Sequence, residues 1–283
     1  MRAGTRVASP PPDRWRWPVR PLACIRRQHF WGRAQATPRE PRILTTTAIS
    51  AVIPVKDEAG NAAPLAREIA AALKHAGPHE IIFVDDGSVD TTAAELLALK
   101  SEIPALRVLR HACNLGQSRG IRTGVMAAKG EIIVTLDGDG QNDPADIPKL
   151  LEALAADPGL AMVSGVRVKR QDTASRRLAS RIGNRVRSRL LNDGAADTGC
   201  GLKAFRRDLF LALPYFDHMH RYLIALMRRE GWRVDFVPVG HRPRLQGRSK
   251  YTNLSRMVVS LSDLMGVRWL QRRHRGPAGT EEL

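Results

Sequence analysis

Short runs rich in β-branched residues alternate with stretches of helical periodicity from residue 48 onward, and this alternation limits the fold more than any other feature. The four clearest runs are AISAVIPV, EIIFVDDGS, LRVLRH and EIIVTLDGD, in that order. Strands that alternate with helices predict a parallel, doubly wound sheet. The expected fold class is therefore α/β, with a Rossmann-like, mostly parallel sheet.

Acidic side chains gather where three of these runs end. Ligands of doubly wound sheets bind outside the carboxyl ends of the strands, which meet at one edge of the sheet. The residues expected at that edge are Pro54, Lys56, Asp57, Glu58, Asp85, Asp86, Asp137 and Asp139. Their shared location predicts a ligand-binding site there.

The stretch LDGDGQ places two carboxylates, Asp137 and Asp139, one residue apart at the end of a buried strand. Like charges this close repel each other unless a cation lies between them. Mg²⁺ is bound by one or two carboxylates together with substrate phosphates. The stretch therefore predicts a divalent metal, with Gln141 as a further oxygen ligand. A solvated turn is the alternative, since Asp and Gly are common turn residues.

Two further segments bear on a phosphorylated ligand. In VDDGSVDTT, Asp86 is expected to bind the ligand and Asp90 to cap the next helix. The segment NLGQSRGIRTG lacks the spacing of the common phosphate-binding fingerprints, so its glycines predict close helix–sheet packing and no dinucleotide cofactor. In RPRLQGRSKY, Arg244, Arg248 and Lys250 are expected to close over a diphosphate, unless they form a basic surface loop.

Composition favours anionic partners, because the formal net charge of the 283 residues is +17. No segment reaches the roughly 18 uncharged apolar residues of a membrane span. The three cysteines are widely spaced, which predicts free thiols in a reducing compartment.

Three regions are expected along the chain. Residues 1–46 are rich in Arg and Pro and predict a disordered tail. Residues 47–245 form the catalytic domain, and residues 246–283 contain a mobile basic segment and a C-terminal amphipathic helix from Leu254 to about Arg273.

Seven motifs within residues 48–251 resemble those of the family 2 glycosyltransferases of the GT-A fold. The resemblance is closest to the dolichol- or polyprenyl-phosphate mannose synthase branch. The motifs are VIPVKDE, VDDGSVDTT, LDGDGQNDP, SGVR, ASRRLASRIGNRV, DTGCGLKAFRR and GRSKY.

The resemblance implies a role for each matching residue. The residues that would bind the nucleotide sugar are Pro54, Glu58, Asp86, Asp137 and Ser249. Mg²⁺ or Mn²⁺ would be held by Asp137, Asp139 and Gln141. The lipid phosphate would contact Arg167, Arg176 and Ser180. The catalytic set would comprise Asp139, Asp197, Arg244 and Lys250.

Several positions depart from the family pattern. The family usually has Asn where Asp57 stands and Ala or a similar residue where Gly138 stands. Cys200 and Lys203 replace Ser and Arg, which bears on sugar and acceptor preference.

The expected activity is an inverting transfer of a hexose-type sugar from GDP-mannose or a UDP-sugar to a polyprenyl phosphate. The expected location is cytoplasmic, peripheral on the inner face of the cell membrane, with an anionic lipid surface as partner. The enzymatic alternative is a family 2 transferase acting on a polysaccharide or glycolipid hydroxyl, with Asp197 as base. A nucleotidyltransferase is disfavoured because no glycine-rich basic loop follows the first strand. A nucleic-acid-binding protein is disfavoured because the strand-end acids would repel a phosphate backbone.

Overall fold

The computed structural model describes residues 48–168, 187–195, 197–243 and 253–275. The expectations for residues 1–46 and for most of the basic segment lie outside this range. The predicted domain boundaries therefore stay predictions.

The described residues contain seven strands in one sheet. They are β1 (Ile49–Val55), β2 (His79–Asp85), β3 (Leu106–Arg110), β4 (Ile132–Thr135), β5 (Leu160–Arg167), β6 (Lys203–Arg206) and β7 (Arg233–Val239). The order across the sheet is β3-β2-β1-β4-β6-β5-β7. Only β6 is antiparallel to its two neighbours, β4 and β5. The prediction of a mostly parallel α/β sheet is confirmed.

Helices cover both faces of this sheet. They are α1 (Ala62–Leu73), α2 (Thr92–Ala98), α3 (Gln117–Ala127), α4 (Ile147–Ala156), α5 (residues 187–191), α6 (Arg207–Ala212), α7 (Leu223–Arg229) and α8 (Asn253–Arg273). One apolar core joins α1, α2 and α4 to the sheet, and a second joins α3, α6, α7 and α8 to the other face. The doubly wound arrangement follows from strands that bury apolar side chains on both faces.

The glycines of α3 let the helix lie close to the sheet, as the sequence predicts. A Cβ atom at Gly120 would lie 3.0 Å from Cβ of Pro54, and one at Gly124 would overlap Val52. The start of α3, which faces the ends of the strands, is thereby held against β1.

The C-terminal helix α8, predicted to be amphipathic, packs through only some of its apolar side chains. Leu264 and Val267 are buried, whereas Leu261, Met265 and Trp269 are 55%, 62% and 58% exposed. Successive helical positions turn by about 100°, so Leu264 and Met265 point in different directions and one neighbour cannot cover both. None of the helices in the described part of the chain combines the length and apolar character needed to cross a bilayer.

Candidate active site

The edge of the sheet where β1, β2, β4 and β5 end also receives the start of β6. Lys203 pairs in register with Thr135 of β4 and Ser164 of β5. Because β6 runs in the opposite direction, its first residue joins the carboxyl ends of its neighbours. This topology brings Lys203 to the same edge as Asp137 and Arg167.

The loops after β1 and β2 are fastened to each other. The backbone N–H of Asp57 donates to Oγ of Ser88 at 2.9 Å, and that of Glu58 donates to Oγ1 of Thr92 at 2.8 Å. Asp57 has φ +49°, a left-handed conformation that Asp and Asn adopt more readily than most residues. The departure from Asn at this position therefore keeps the turn that holds Glu58.

Asp86 is 4% exposed and accepts hydrogen bonds from the protein itself. Its carboxylate accepts from the backbone N–H groups of Leu115 and Gly116, each at 2.8 Å, and lies 2.7 Å from Nδ1 of His111. These contacts tie the end of β2 to the start of α3. Binding of a nucleotide by Asp86 stays a prediction.

Asp137 lies between the start of α3 and the loop before β6. Nε2 of Gln117 donates to its Oδ1 at 2.7 Å, and a Cβ atom at Gly201 would overlap its carboxylate. Burial raises the pKa of the Asp137 carboxyl and the charge of Asp139 raises it further, while Lys203 and Gln117 act in the opposite direction. The two acids are therefore close enough for the charge of Asp139 to oppose the ionisation of Asp137.

The donor set of this loop suits a hard divalent cation. Oδ1 of Asp139 accepts a hydrogen bond from the backbone N–H of Gln141 at 3.1 Å. This bond forms a turn that holds Gln141 close to Asp139. Within the described residues, no group of three or more His, Cys, Asp and Glu side chains forms a metal site. Two carboxylates and an amide oxygen match the way Mg²⁺ binds together with substrate phosphates.

Arg167 and Asp197 form a bidentate ion pair. Nε and Nη2 of Arg167 donate to Oδ2 and Oδ1 of Asp197 at 2.7 and 2.8 Å, and both side chains are largely buried. Burial alone would lower the pKa of the Arg167 guanidinium, but the hydrogen bonds and charge of Asp197 raise it. The two opposite charges are therefore kept in contact at the end of β5.

Lys203 places a buried cation beside the acids. Its side chain is 5% exposed and its ammonium donates to the carbonyl of Cys200. Burial lowers the pKa of Lys203, while the charges of Asp137 and Asp197 oppose that shift. In the sequence, Lys203 is marked only as a departure from the family pattern. Its position in the segment CGLK was the signal that could have identified it as a site residue.

A cavity of about 230 Å³ lies beside these charges. It is bordered by α3, the end of β4, the loop before β6 and the start of α7. Among its lining residues are Gln117, Asp137, Thr198, Lys203 and His220. Gln117, Thr198 and His220 were not among the predicted site residues. The motifs NLGQSRGIRTG and DTGCGLKAFRR, which contain Gln117 and Thr198, were the available signals, whereas nothing in its local sequence marks His220.

The structure divides the predicted site residues into three groups. It brings Asp137, Asp139, Arg167 and Asp197 into one neighbourhood, with Gln141 on the same loop as the first two. It places Pro54, Glu58 and Asp86 at the ends of β1 and β2, with Pro54 buried under α3. Outside the described residues lie Arg176, Ser180, Arg244, Ser249 and Lys250.

Comparison with protein families and curated proteins gives consistent matches. A family model described as glycosyl transferase family 2 matches residues 50–213. The undecaprenyl-phosphate 4-deoxy-4-formamido-L-arabinose transferase of Edwardsiella ictaluri is 35% identical over 224 residues, which cover 78% of this chain and 68% of that protein. The transferase of the same name from Enterobacter sp. is 35% identical over 77% of this chain and 66% of its own length. The chain thus spans about two thirds of the length of these relatives.

Solved structures agree on the fold. Glucosyl-3-phosphoglycerate synthase from Mycobacterium tuberculosis, in complex with Mn²⁺, UDP-glucose and phosphoglyceric acid, is similar with a TM-score of 0.62. The match covers 80% of this chain and 79% of that chain at 19% identity. The similarity confirms the expected GT-A type of sheet.

Proposed function

The chain belongs to glycosyl transferase family 2, and we propose that it transfers a sugar, with inversion, from a nucleotide diphosphate sugar to a polyprenyl phosphate. The donor is GDP-mannose or a UDP-sugar carrying a hexose-type group. The names of the two curated relatives support a polyprenyl phosphate acceptor and add 4-deoxy-4-formamido-L-arabinose to the candidate sugars.

The Arg167–Asp197 ion pair is the observation that favours a phosphate acceptor over a hydroxyl acceptor. A hydroxyl acceptor needs a general base to take its proton, and Asp197 is the candidate base at this edge. Both of its carboxylate oxygens accept hydrogen bonds from Arg167, so an acceptor proton would have to compete with that guanidinium for Asp197. A phosphate acceptor is already an anion and needs positioning more than deprotonation. The pair therefore favours a phosphate over a hydroxyl.

The acidic loop would serve the departing diphosphate. Mg²⁺ or Mn²⁺ held by Asp137, Asp139 and Gln141 would neutralise the charge that develops on that group. Gln117 orients the Asp137 carboxylate through its 2.7 Å hydrogen bond. Lys203 lies next to Asp137 and favours the ionised form of that carboxyl, in a buried setting where electrostatic interactions are stronger than in water.

The other predicted residues border the nucleotide and the lipid phosphate. Pro54, Glu58 and Asp86 border the nucleotide side, where the loops after β1 and β2 are fastened together. The lipid phosphate would contact Arg167 on the side of the guanidinium that does not face Asp197. The other roles, carried by the resemblance, belong to Arg176, Ser180, Arg244, Ser249 and Lys250.

The exposed face of α8 supports peripheral attachment to an anionic membrane. Leu261, Met265 and Trp269 recur every four residues and are exposed, and Arg272 and Arg273 follow them. Trp suits the membrane interface and Arg suits anionic headgroups. A polyprenyl chain stays in the bilayer, so a surface of this kind would bring the enzyme to its acceptor.

The test is a transfer assay with Mg²⁺ or Mn²⁺, undecaprenyl phosphate and radiolabelled nucleotide sugars. The expected product is a labelled lipid that extracts into organic solvent and releases its sugar in mild acid. Parallel reactions contain undecaprenol or a glycolipid hydroxyl in place of the phosphate. Transfer to the hydroxyl acceptors, with none to the phosphate, would refute the proposal and favour the alternative acceptor.

A further inference from the structure

The size of the cavity beside Asp137 limits what it can hold, and the inference drawn from it rests on the proposed function. Its volume is about 230 Å³. Pockets for drug-sized ligands measure roughly 300–1,000 Å³. The cavity is therefore too small for a nucleoside diphosphate with its sugar, and it suits a single sugar ring.

The lining of the cavity suits a sugar ring as well. Ile121 and Leu223 offer apolar surface, while Gln117, Thr198 and His220 offer hydrogen-bonding groups. A sugar presents C–H faces that pack against apolar side chains and hydroxyl groups that need polar partners. Small-molecule sites combine apolar walls with a few placed polar groups in this way.

The ring of His220 is held in one orientation by Ser118 of α3. Its Nδ1 lies 2.7 Å from Oγ of Ser118, and its backbone N–H donates to the same Oγ at 3.4 Å. Ser118 is 1% exposed, so this contact is sheltered from water. With Nδ1 engaged, Nε2 is the ring nitrogen left to bind a ligand, as a donor or an acceptor according to the tautomer.

We infer that this cavity holds the sugar ring of the donor, and that His220, oriented by Ser118, determines specificity by hydrogen-bonding a hydroxyl or amide substituent of that ring. Burial holds the pKa of His220 well below its ordinary value, and the charges of Arg221 and Lys203 lower it further. The imidazole is therefore neutral at pH 7 and suits an uncharged substituent.

The experiment measures donor binding by calorimetry with Mn²⁺ and without acceptor. The ligands are UDP, GDP and a panel of their sugar derivatives that differ in ring substituents. His220→Phe keeps the ring size and removes both nitrogens. It should weaken the preferred nucleotide sugar by about 10-fold or more and change the order of the panel, because an unmatched polar substituent is strongly disfavoured. Binding of the nucleoside diphosphate alone should change by less than about 2-fold.

Two further variants make the result specific. His220→Gln keeps a hydrogen-bonding group and should lose less affinity than His220→Phe. His218→Asn is the matched control: His218 lies in the same turn, binds Asp263 at 3.0 Å and does not line the cavity. Its φ of +62° is one that Asn accepts. This control should leave donor binding unchanged.

Either of two results would overturn the inference. One is an equal loss of affinity for the nucleoside diphosphate and its sugar derivative in His220→Phe. The other is an unchanged order of sugar preference. Because no acceptor is present, failure of polyprenyl phosphate in the transfer assay would count against the proposed function and leave these binding results intact.

Discussion

The backbone N–H of Arg242 donates to the carbonyl oxygen of Gln141 at 2.9 Å, which fastens the acidic loop after β4 to the chain that follows β7. The guanidinium of Arg242 adds ion pairs with Asp143 at 2.7 Å and with Glu68 of α1 at 2.6 Å. The position of Gln141, a candidate metal ligand, therefore depends on a residue remote in sequence.

Replacing Arg242 should weaken metal binding through this loop. Arg242→Gln removes both ion pairs, and loss of a residue that orients metal ligands typically costs about 10- to 100-fold in affinity. Arg242→Lys keeps the positive charge but not the forked geometry of the guanidinium, and it should lose less metal affinity than Arg242→Gln. Electron paramagnetic resonance of Mn²⁺ in the presence of UDP or GDP measures the affinity.

The control for Arg242 is Arg67→Gln. Arg67 makes a similar two-bond pair with Glu102, at 2.8 and 2.9 Å, on α1 away from the loop. It should leave Mn²⁺ affinity unchanged. An equal loss in both variants would show that Arg242 acts through general stability.

Removal of the metal should abolish transfer. EDTA should stop the reaction, and Mn²⁺ or Mg²⁺ should restore it. Asp139→Ala should reduce the rate by at least about 100-fold, since a metal supplies several kcal/mol of charge stabilisation. Full activity of Asp139→Ala in EDTA would exclude a metal held by this loop.

A methyl group at position 201 should displace the Asp137 carboxylate. The added Cβ would overlap that carboxylate, and a misplacement of about 1 Å in an active site can cost about 100-fold. Gly201→Ala should therefore lower kcat by about 10- to 100-fold while the protein stays folded. The control is Gly266→Ala in α8, where the added Cβ meets nothing within 4 Å. Normal activity of Gly201→Ala would mean that Asp137 has no fixed role.

Glu80 should make the stability of the sheet depend on pH. Its carboxylate accepts from Ser50 at 2.7 Å, from the backbone N–H of Lys129 at 2.6 Å and from Arg107. Burial opposes its ionisation, but these hydrogen bonds outweigh burial and lower its pKa below the ordinary 4.5. A carboxyl with a lowered pKa adds stability above its unfolded pKa and loses it as the pH falls through the folded value.

Urea unfolding of Glu80→Gln tests this expectation. The variant should lose about 1–3 kcal/mol at pH 7, because an amide cannot accept all the bonds of a carboxylate. The difference from the wild type should shrink as the pH falls below 4.5. A constant difference between pH 7 and pH 3 would contradict the role assigned to the charge.

The exposed face of α8 should bind anionic liposomes. Each basic residue near such a surface contributes about 1 kcal/mol, so replacing both Arg272 and Arg273 with Glu should lower partitioning by about 30-fold or more. Met265→Ser should weaken partitioning to the liposomes as well. The control is Leu97→Ser, which changes an exposed side chain on α2. Sedimentation at low and high salt measures the effect. Equal binding to neutral liposomes, or resistance to alkaline carbonate, would contradict a peripheral, electrostatic attachment.

Local pattern was enough for the first half of the sheet and its acidic edge. The strands β1 to β4 agree with the sequence prediction because each depends on residues close together in the chain, and the glycines of α3 pack against the sheet as predicted. β5 and β6 escaped assignment as strands. β6 runs antiparallel to its neighbours, so the strand–helix alternation that marks β1 to β4 does not extend to it.

The sequence by itself determined the α/β class, the family and the placement of Asp137 and Asp139 at a strand end, since periodicity and motif order are local properties. Only the tertiary structure decided that Arg167 is paired with Asp197, that Lys203 lies beside Asp137 and that His220 lines the same cavity. These contacts join residues far apart in the chain. They depend on strand order and on the packing of helices across the sheet, and no local pattern of residues encodes either one.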